Sequence, residues 1–166
     1  MSWFALVENY LREKQTPEGR LFNCVECAAI LGKLNGEVYA STPNFSLSQY
    51  SIMVPDDERN KAVILNVNEQ ENLLYCIEHQ GYAPNVGGLR LNSEKYYFVR
   101  GDQDSRALYL RKSGGGACIS WSNVCVIFAS WSETEVTSGL YVKPQSAALC
   151  IEQVENLSDV LYYSNY

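Results

Sequence analysis

No stretch of this sequence approaches the roughly 18 consecutive apolar residues that a membrane-spanning helix needs. The opening residues, MSWFALVENYLREK, lack the basic start and the small-residue cleavage site of a signal peptide. Basic residues are few and scattered: 13 Lys and Arg against 19 Asp and Glu give a net charge of −6. These absences argue against a nucleic-acid partner and lead us to expect a cytoplasmic protein.

Groups that carry catalysis or hold metals are also scarce. The single histidine, His79, has no nucleophile motif beside it, so we interpret it as a helix-end or surface residue and not as a general base. Cys24 and Cys27 form a lone C-x-x-C without the second ligand pair that a structural zinc site needs. We therefore predict no enzyme activity, no cofactor and no metal site, and we expect reduced thiols in place of disulfides.

What the sequence does contain is a run of short β segments between residues 87 and 131. They are rich in Val, Ile, Leu, Tyr, Phe and Trp, and clusters of Gly, Asn, Asp and Ser separate them, which is the pattern of an antiparallel meander. The five predicted strands are 89–91, 96–100, 107–111, 117–121 and 124–131. Earlier in the chain, ECAAIL reads as a buried strand, and Asn35-Gly36 predicts a hairpin into a strand over 38–40.

Helical patterns occur at both ends and in the middle of the chain. Residues 2–13 carry a short apolar stripe that Ser2 could cap, before a breaker cluster at 15–19. Residues 144–163 carry a longer stripe, at positions 147, 150, 151, 154, 157 and 161, with Pro144 in the first turn. A third helix, 68–79, has Asn68 as its cap. Both terminal helices are expected to cover the same sheet.

Two β-like runs, 50–54 and 62–67, flank a charged seven-residue connection over 55–61 and predict a protruding hairpin arm. Residues 43–47 predict a loop that leads into either a short helix or a strand. Because no linker or repeat divides the chain, we predict a single domain over 1–166. Its expected class is α/β of the α+β type, with a central antiparallel β-sheet meander between the terminal helices on one face and smaller helices on the other.

A set of aromatic residues lies in the terminal helices and the early hairpin. The rings are those of Trp3, Tyr39, Tyr162, Tyr163 and Tyr166. If these elements pack together, the rings form an exposed strip of the type that binds polyproline II ligands. The alternative is that they cover the sheet as ordinary core.

Several motifs, in this order along the chain, resemble the profilin family. They are the opening MSW, the strand EVYAS, the hairpin GLRLNSEKYYFVRGD, the hairpin GGGACISW…VCVIFASW and the ending VENLSDVLYYSNY. The resemblance touches most of the chain except 14–26 and 50–67. It implies the profilin-like arrangement of sheet and helices described above.

The resemblance also implies a function. Profilins cap the barbed-end face of actin monomers, suppress nucleation and deliver monomers to growing barbed ends, without catalysis. Carried over position by position, the actin-binding residues are Val86, Lys95, Phe98, Arg100, Arg111, Val154 and Glu155. For each charged residue the alternative is a solvated charge at a strand edge.

Profilins also bind proline-rich segments such as those of formins. In this sequence Trp3 and Tyr166 match the family pattern, Tyr39 replaces the usual Trp, Leu6 stands where the family has Tyr, and Val160 stands where it has His or Tyr. Stacking contributes about 0.5–1.5 kcal/mol per aromatic contact, so the loss of two rings predicts weak or altered binding. The acidic net charge argues against phosphoinositide binding.

The segment 50–67 resembles the charged β-arm of some protist profilins, and we expect it to lie near the actin face. We expect the protein to be a monomer.

The residues also leave a different class of function open. PAS-like and longin-like domains, which sense ligands or act in trafficking, share a helix-flanked antiparallel sheet. Such a domain would need an apolar cavity inside the sheet.

Overall fold

A computed structural model describes residues 2–15, 21–56, 58, 60–138 and 141–166 of the protein. The helical elements are α1 (Trp3–Leu6), a π-helical segment (Val7–Arg12), α2 (Glu69–Glu78) and α3 (Ala147–Tyr163). The strands are β1 (Glu13–Gln15), β2 (Leu21–Asn23), β3 (Cys27–Gly32), β4 (Val38–Ser41), β5 (Gln49–Asp56), β6 (Lys61–Asn68), β7 (Leu89–Leu91), β8 (Glu94–Asp102), β9 (Ala107–Lys112), β10 (Gly115–Trp121), β11 (Cys125–Ser132), β12 (Glu135–Ser138) and β13 (Tyr141–Pro144).

The centre of the fold is a seven-stranded antiparallel sheet in the order β4-β3-β11-β10-β9-β8-β7. The predicted five-strand meander is confirmed as β7 to β11, and the early hairpin β3–β4 extends the same sheet beyond β11. The turns follow the expected chemistry. Asn92 and Ser93 join β7 to β8 with φ angles of 52° and 62°, as a two-residue hairpin turn with two left-handed residues requires.

Successive side chains of the central strands point to opposite faces of the sheet and enter two separate cores. The helix-face core contains Ile30 and Ile127 of the sheet, and the terminal helical segments cover it. The α2-face core contains Leu31 and Phe128 of the sheet, packed with Leu73 of α2. The prediction that both terminal helices cover one face is confirmed. On the other face, where smaller helices were predicted, α2 is the one helix among the described residues.

The two terminal helices differ in detail from their predicted forms. Ser2 caps α1 as expected, but the helix changes to π-helical geometry at Val7 and ends at Arg12. Residues 16–19 of the predicted breaker, 15–19, lie outside the described residues. The prediction that Pro144 opens the last helix is wrong. Pro144 ends β13, and α3 starts after Ser146 because the Ser146 hydroxyl accepts a hydrogen bond from the Leu149 amide at 3.1 Å.

The middle of the chain follows its local signals more closely. Asn68 caps α2 as predicted, accepting a hydrogen bond from the Glu71 amide at 3.1 Å. The segment 43–47 is a loop, as predicted, and the element that it leads into is the strand β5. That loop places Phe45 in the α2-face core, with its ring centroid 5.3 Å from that of Phe128.

Residues 49–68 form a separate two-stranded hairpin, which we call the arm. The connection between its strands is shorter than the predicted seven residues, because Pro55 pairs with Ala62 and Asp56 pairs with Lys61. On one face of the arm, the side chains of Ile52 and Leu65 pack against Gly87. They occupy the space that the Cβ of any other residue at position 87 would need.

A buried carboxylate joins the arm to the domain. Glu69, the first residue of α2, is fully buried and accepts hydrogen bonds from the Ser48 amide at 2.9 Å, the Tyr50 hydroxyl at 2.8 Å and the Ser93 amide at 2.8 Å. Burial and the bond to Glu69 raise the pKa of Tyr50 to about 12. One side chain therefore connects the base of the arm, α2 and the β7–β8 turn.

All six cysteines are described, and all are buried as reduced thiols, as expected. Burial raises the pKa of the Cys76 thiol to about 12 and that of Cys27 to about 11, which suppresses the thiolate form. Among the described helices, none is both long enough and apolar enough to cross a membrane.

Candidate functional site

One surface of β8 and β9 carries basic side chains over aromatic rings, and we call it the β8–β9 face. Every residue from 97 to 101 is exposed. Across the strands, Tyr97 pairs with Arg111 and Arg100 pairs with Tyr109. The Lys95 ammonium lies 5.3 Å from the centroid of the Tyr97 ring, within the range of a cation–π contact.

Arg100 is held in place by a short chain of contacts that starts in α3. Its guanidinium carbon lies 4.7 Å from the centroid of the Tyr109 ring, and the Tyr109 hydroxyl donates a hydrogen bond to the Glu155 carboxylate. Burial, followed by this hydrogen bond, raises the pKa of Tyr109. Beside this chain lies a depression of about 280 Å³ whose lining includes Val99 and Ile151. The arrangement presents a pre-positioned cation next to a small apolar surface.

Two of the residues predicted for this face lie elsewhere. Val154 is fully buried in the helix-face core, so its prediction as a contact residue is wrong; its neighbour Glu155 is the residue that turns outward. Phe98 is 43% exposed but points to the opposite side of the sheet, because it pairs with Leu110 of the α2-face core and its ring lies against Gly81.

The remaining predicted residue of this set, Val86, is 78% exposed in the loop before β7. This loop also carries Gly87, against which the arm packs, and Gly88, next to which the Lys95 side chain lies. The arm therefore lies next to the end of the β8–β9 face at which Lys95 and Val86 are located.

Three of the predicted aromatic residues meet at the other side of the domain and form what we call the aromatic strip. The Trp3 and Tyr39 ring centroids are 5.2 Å apart with an interplanar angle of 33°, and Trp3 meets Tyr166 edge-on at 6.1 Å. Tyr39 is 41% exposed and Tyr166 is 53% exposed. The rings of Tyr39 and Tyr166 are thus accessible, and Trp3 between them is partly buried against the helix-face core.

The two positions at which the sequence departs from the family pattern, 6 and 160, have different surroundings. Leu6 lines a depression of about 410 Å³ together with Trp3, Tyr166 and Leu161. The sequence predicted Leu161 only as part of the apolar stripe of the last helix. Val160 is 44% exposed on α3.

Two further tyrosines that the sequence suggested for the strip have other contacts. The Arg106 guanidinium lies 3.9 Å from the centroid of the Tyr162 ring, and the Tyr162 and Tyr163 rings meet edge-on at 5.3 Å.

His79 occupies the C-cap of α2, as its position in the sequence indicated. It is exposed, its ring stacks on Tyr75 with centroids 3.8 Å apart, and its Nδ1 lies 2.9 Å from the Tyr75 carbonyl oxygen. Across the described part of the chain, no cluster of three or more His, Cys, Asp or Glu residues is placed to hold a metal ion.

Comparison with known proteins agrees with this geometry. All of the chain, residues 1–166, matches the family model described as Profilin. The chain is 37% identical over 112 residues to a profilin of Tetrahymena pyriformis, which covers 67% of this chain and 71% of that relative. Its fold is similar to Acanthamoeba castellanii profilin IB, with a TM-score of 0.64, 19% identity, and coverage of 99% of this chain and 100% of that one.

It is also similar to the structure of mouse profilin IIa in complex with a double repeat from the FH1 domain of mDia1. That similarity has a TM-score of 0.52 and 13% identity, and it covers 86% of this chain and 90% of the mouse chain. The two structural similarities support the fold, whereas the family match over the full length and the identity to the Tetrahymena relative establish the family. This protein therefore belongs to the profilin family.

Proposed function

We propose that this profilin binds actin monomers through the β8–β9 face. The proposal depends on a group of charged residues that share this face, namely Lys95, Arg100, Arg111 and Glu155. The Arg100 guanidinium lies over the Tyr109 ring, and a hydrogen bond from the Tyr109 hydroxyl to Glu155 fixes that ring. A guanidinium fixed in this way suits recognition of a carboxylate on a partner protein, because less side-chain freedom is lost when the complex forms. Exposed Tyr97 and Val99 add apolar area beside it.

In this proposal the protein acts by steric occupancy in the cytoplasm, without catalysis. Covering the barbed-end face of a monomer blocks nucleation but still allows that monomer to join a growing barbed end. The basic residues of the face mainly set the association rate, and the apolar contacts mainly set the lifetime of the complex. The ligand-sensing alternative is not proposed, because the depressions described above open at the surface and do not lie inside the sheet.

The direct test is a titration of actin monomers with the protein, with binding and spontaneous polymerisation followed together. We expect saturable binding and a longer nucleation lag. Absence of binding at several tens of micromolar, a free energy of roughly −6 kcal/mol or weaker, would contradict the proposal.

We also propose that the aromatic strip binds proline-rich segments of the formin type. Polyproline II helices present an extended apolar ridge that stacks between aromatic rings at little entropic cost. Trp3, Tyr39 and Tyr166 provide three such rings in contact. The mouse relative in complex with a double repeat from the FH1 domain of mDia1 supports a formin-type segment as the ligand.

Restoring an aromatic ring at position 6 should strengthen proline binding. The depression of about 410 Å³ beside Leu6 has space for a larger side chain, and one added ring contact is worth about 0.5–1.5 kcal/mol. We expect Leu6→Tyr to tighten the binding of a proline decamer by about two- to tenfold in isothermal titration calorimetry. Trp3→Ala serves as the loss-of-binding control, and unchanged affinity in Leu6→Tyr would contradict this role of the depression.

We propose that the arm contributes to the actin complex, because it packs on the loop that carries Val86 and borders Lys95. Its outward face exposes Met53 at 69% and Ile64 at 72%. We expect the backbone amides of the arm to exchange hydrogen more slowly when actin is bound. Unchanged exchange across 49–68, together with slower exchange in β8, would exclude the arm from the interface.

A further inference from the structure

Two turns meet at one end of the aromatic strip. The β3–β4 turn is joined to the β10–β11 turn by a hydrogen bond of 2.8 Å from the Lys33 amide to the Val124 carbonyl. The β10–β11 turn is also joined to Tyr166 of the strip, because the Asn123 amide donates a hydrogen bond to the Tyr166 carbonyl at 2.7 Å. Val124 therefore lies between Leu34 of the first turn and Tyr166 of the strip.

Two side chains at this junction are unusually apolar for turns, although their neighbours Lys33 and Asn123 are polar. Leu34 is 95% exposed and Val124 is 50% exposed, at positions where polar residues and glycine are the common choice. A single exposed aliphatic residue needs no explanation. Here, however, both residues line one depression of about 570 Å³, and that depression also includes Tyr39, a member of the strip. The apolar surface is thus continuous with the rings.

We propose that Leu34 and Val124 form an apolar subsite that extends the aromatic strip and selects proline-rich segments with a large aliphatic residue next to the proline run. This inference rests on the proposed proline binding and specifies the ligand of that site. The separations of the three rings, 5.2 and 6.1 Å, correspond to a few residues of a polyproline II helix at about 3.1 Å per residue. A segment only slightly longer than the strip therefore reaches the depression next to Tyr39.

The subsite compensates for the affinity that the strip loses through its missing aromatic rings. With Leu6 and Val160 at positions where aromatic residues are usual in the family, a plain proline run finds fewer rings to stack on. An aliphatic side chain placed between Leu34 and Val124 leaves water and gains contact with both. Partial burial of one leucine side chain corresponds to an affinity gain of about five- to tenfold.

The test compares three peptides by isothermal titration calorimetry: ten prolines, the same peptide with leucine added at its amino end, and the same peptide with leucine added at its carboxyl end. Both ends are needed because a polyproline II ligand can lie in either direction. For the unaltered protein we expect one of the leucine peptides to bind about five- to tenfold more tightly than plain proline. In Leu34→Asp we expect this advantage to disappear while affinity for plain proline stays within about twofold.

Ile64→Asp provides the matched control, because Ile64 is a similarly exposed aliphatic residue on the arm, outside the strip and the depression. It should retain the preference for leucine. Leu34 and Ile64 are both largely exposed, so both variants are expected to unfold at the same temperature as the unaltered protein.

The outcomes separate this inference from the proposal on which it rests. Equal affinity of the unaltered protein for all three peptides overturns the subsite but leaves proline binding in place. An equal loss of affinity for all three peptides in Leu34→Asp overturns selectivity as the role of Leu34. Failure of the unaltered protein to bind any of the peptides at millimolar concentration overturns the proposed proline site, and the subsite with it.

Discussion

Reversing the charge of Arg100 should weaken the complex with actin on the order of 100-fold and slow its association about tenfold. The guanidinium is exposed, and the stack on Tyr109 fixes its position, so Arg100→Glu replaces an oriented cation with an anion at one defined point of the face. Like charges facing each other across an interface cost several kcal/mol, and a charge of the wrong sign also removes electrostatic steering. Stopped-flow association and equilibrium titration at two salt concentrations measure both effects.

Lys33→Glu is the matched control, because it changes the net charge of the protein by the same amount at the β3–β4 turn, away from the β8–β9 face. It should leave actin affinity nearly unchanged. A second variant, Tyr109→Phe, keeps the ring under Arg100 but removes the hydroxyl that bonds Glu155; we expect a loss of only a few-fold. If Lys33→Glu weakens binding as much as Arg100→Glu, the effect comes from overall charge and the proposed site for actin is wrong.

Removing the Glu69 carboxylate should have the largest effect on stability. Glu69→Ala leaves the Ser48 amide, the Tyr50 hydroxyl and the Ser93 amide without their shared acceptor. Each unsatisfied donor costs about 1–3 kcal/mol when water cannot reach it. Because Tyr50 and Ser93 are partly or fully exposed and can rebind water, we expect a total loss of about 2–4 kcal/mol in the free energy of unfolding, measured by urea denaturation.

Glu71→Ala tests whether this loss is specific to the buried carboxylate. Glu71 lies in the same first turn of α2 but is exposed, so its removal should change the free energy of unfolding by less than about 1 kcal/mol. Faster amide exchange at Ser48 and Ser93 in Glu69→Ala alone would show that the carboxylate holds the arm and the β7–β8 turn. Equal destabilisation by both substitutions would show that Glu69 stabilises the protein only as a charge near the start of α2, and would contradict its role in holding the arm.

The parts of the fold that the sequence predicted are those specified by local chemistry. Alternating β segments and their turn residues define the meander, Asn35-Gly36 marks the β3–β4 hairpin, and Asn68 and Ser2 cap helices through bonds that span only a few residues. Such signals do not require knowledge of the tertiary fold. Pro144 was misplaced because a proline fits both the end of a strand and the first turn of a helix, and the cap at Ser146 decides between them.

The errors at the candidate site have a different origin. Carrying a family motif over by position placed Val154 on the surface, although the apolar stripe of the same helix already included 154. Phe98 was assigned to the face of Arg100 by the same transfer of motif positions, and regular alternation along the strand would have agreed for these two residues. A register shift between Phe98 and Arg100 adds one residue and separates them. That irregularity leaves no clear signal in the sequence.

The contacts that support the β8–β9 face and the arm come from residues far apart in the chain. Tyr109 and Glu155 are 46 positions apart, and Ser93 lies 24 positions from Glu69. No local pattern pairs them, since each residue alone fits an ordinary solvated or core position. The sequence could therefore indicate which residues are chemically suited to binding, but not which residues hold them in place.

The division of the interior into two cores bears on how this protein can change through evolution. Ile30 and Leu31 are neighbours in sequence, yet one packs under the terminal helices and the other packs under α2. Substitutions that share no contacts have additive effects on stability, so a change accepted in one core places little constraint on the other. The residues on each side of the sheet can then change independently of those on the other side. This agrees with the similar fold of profilins that share fewer than one residue in five with this protein.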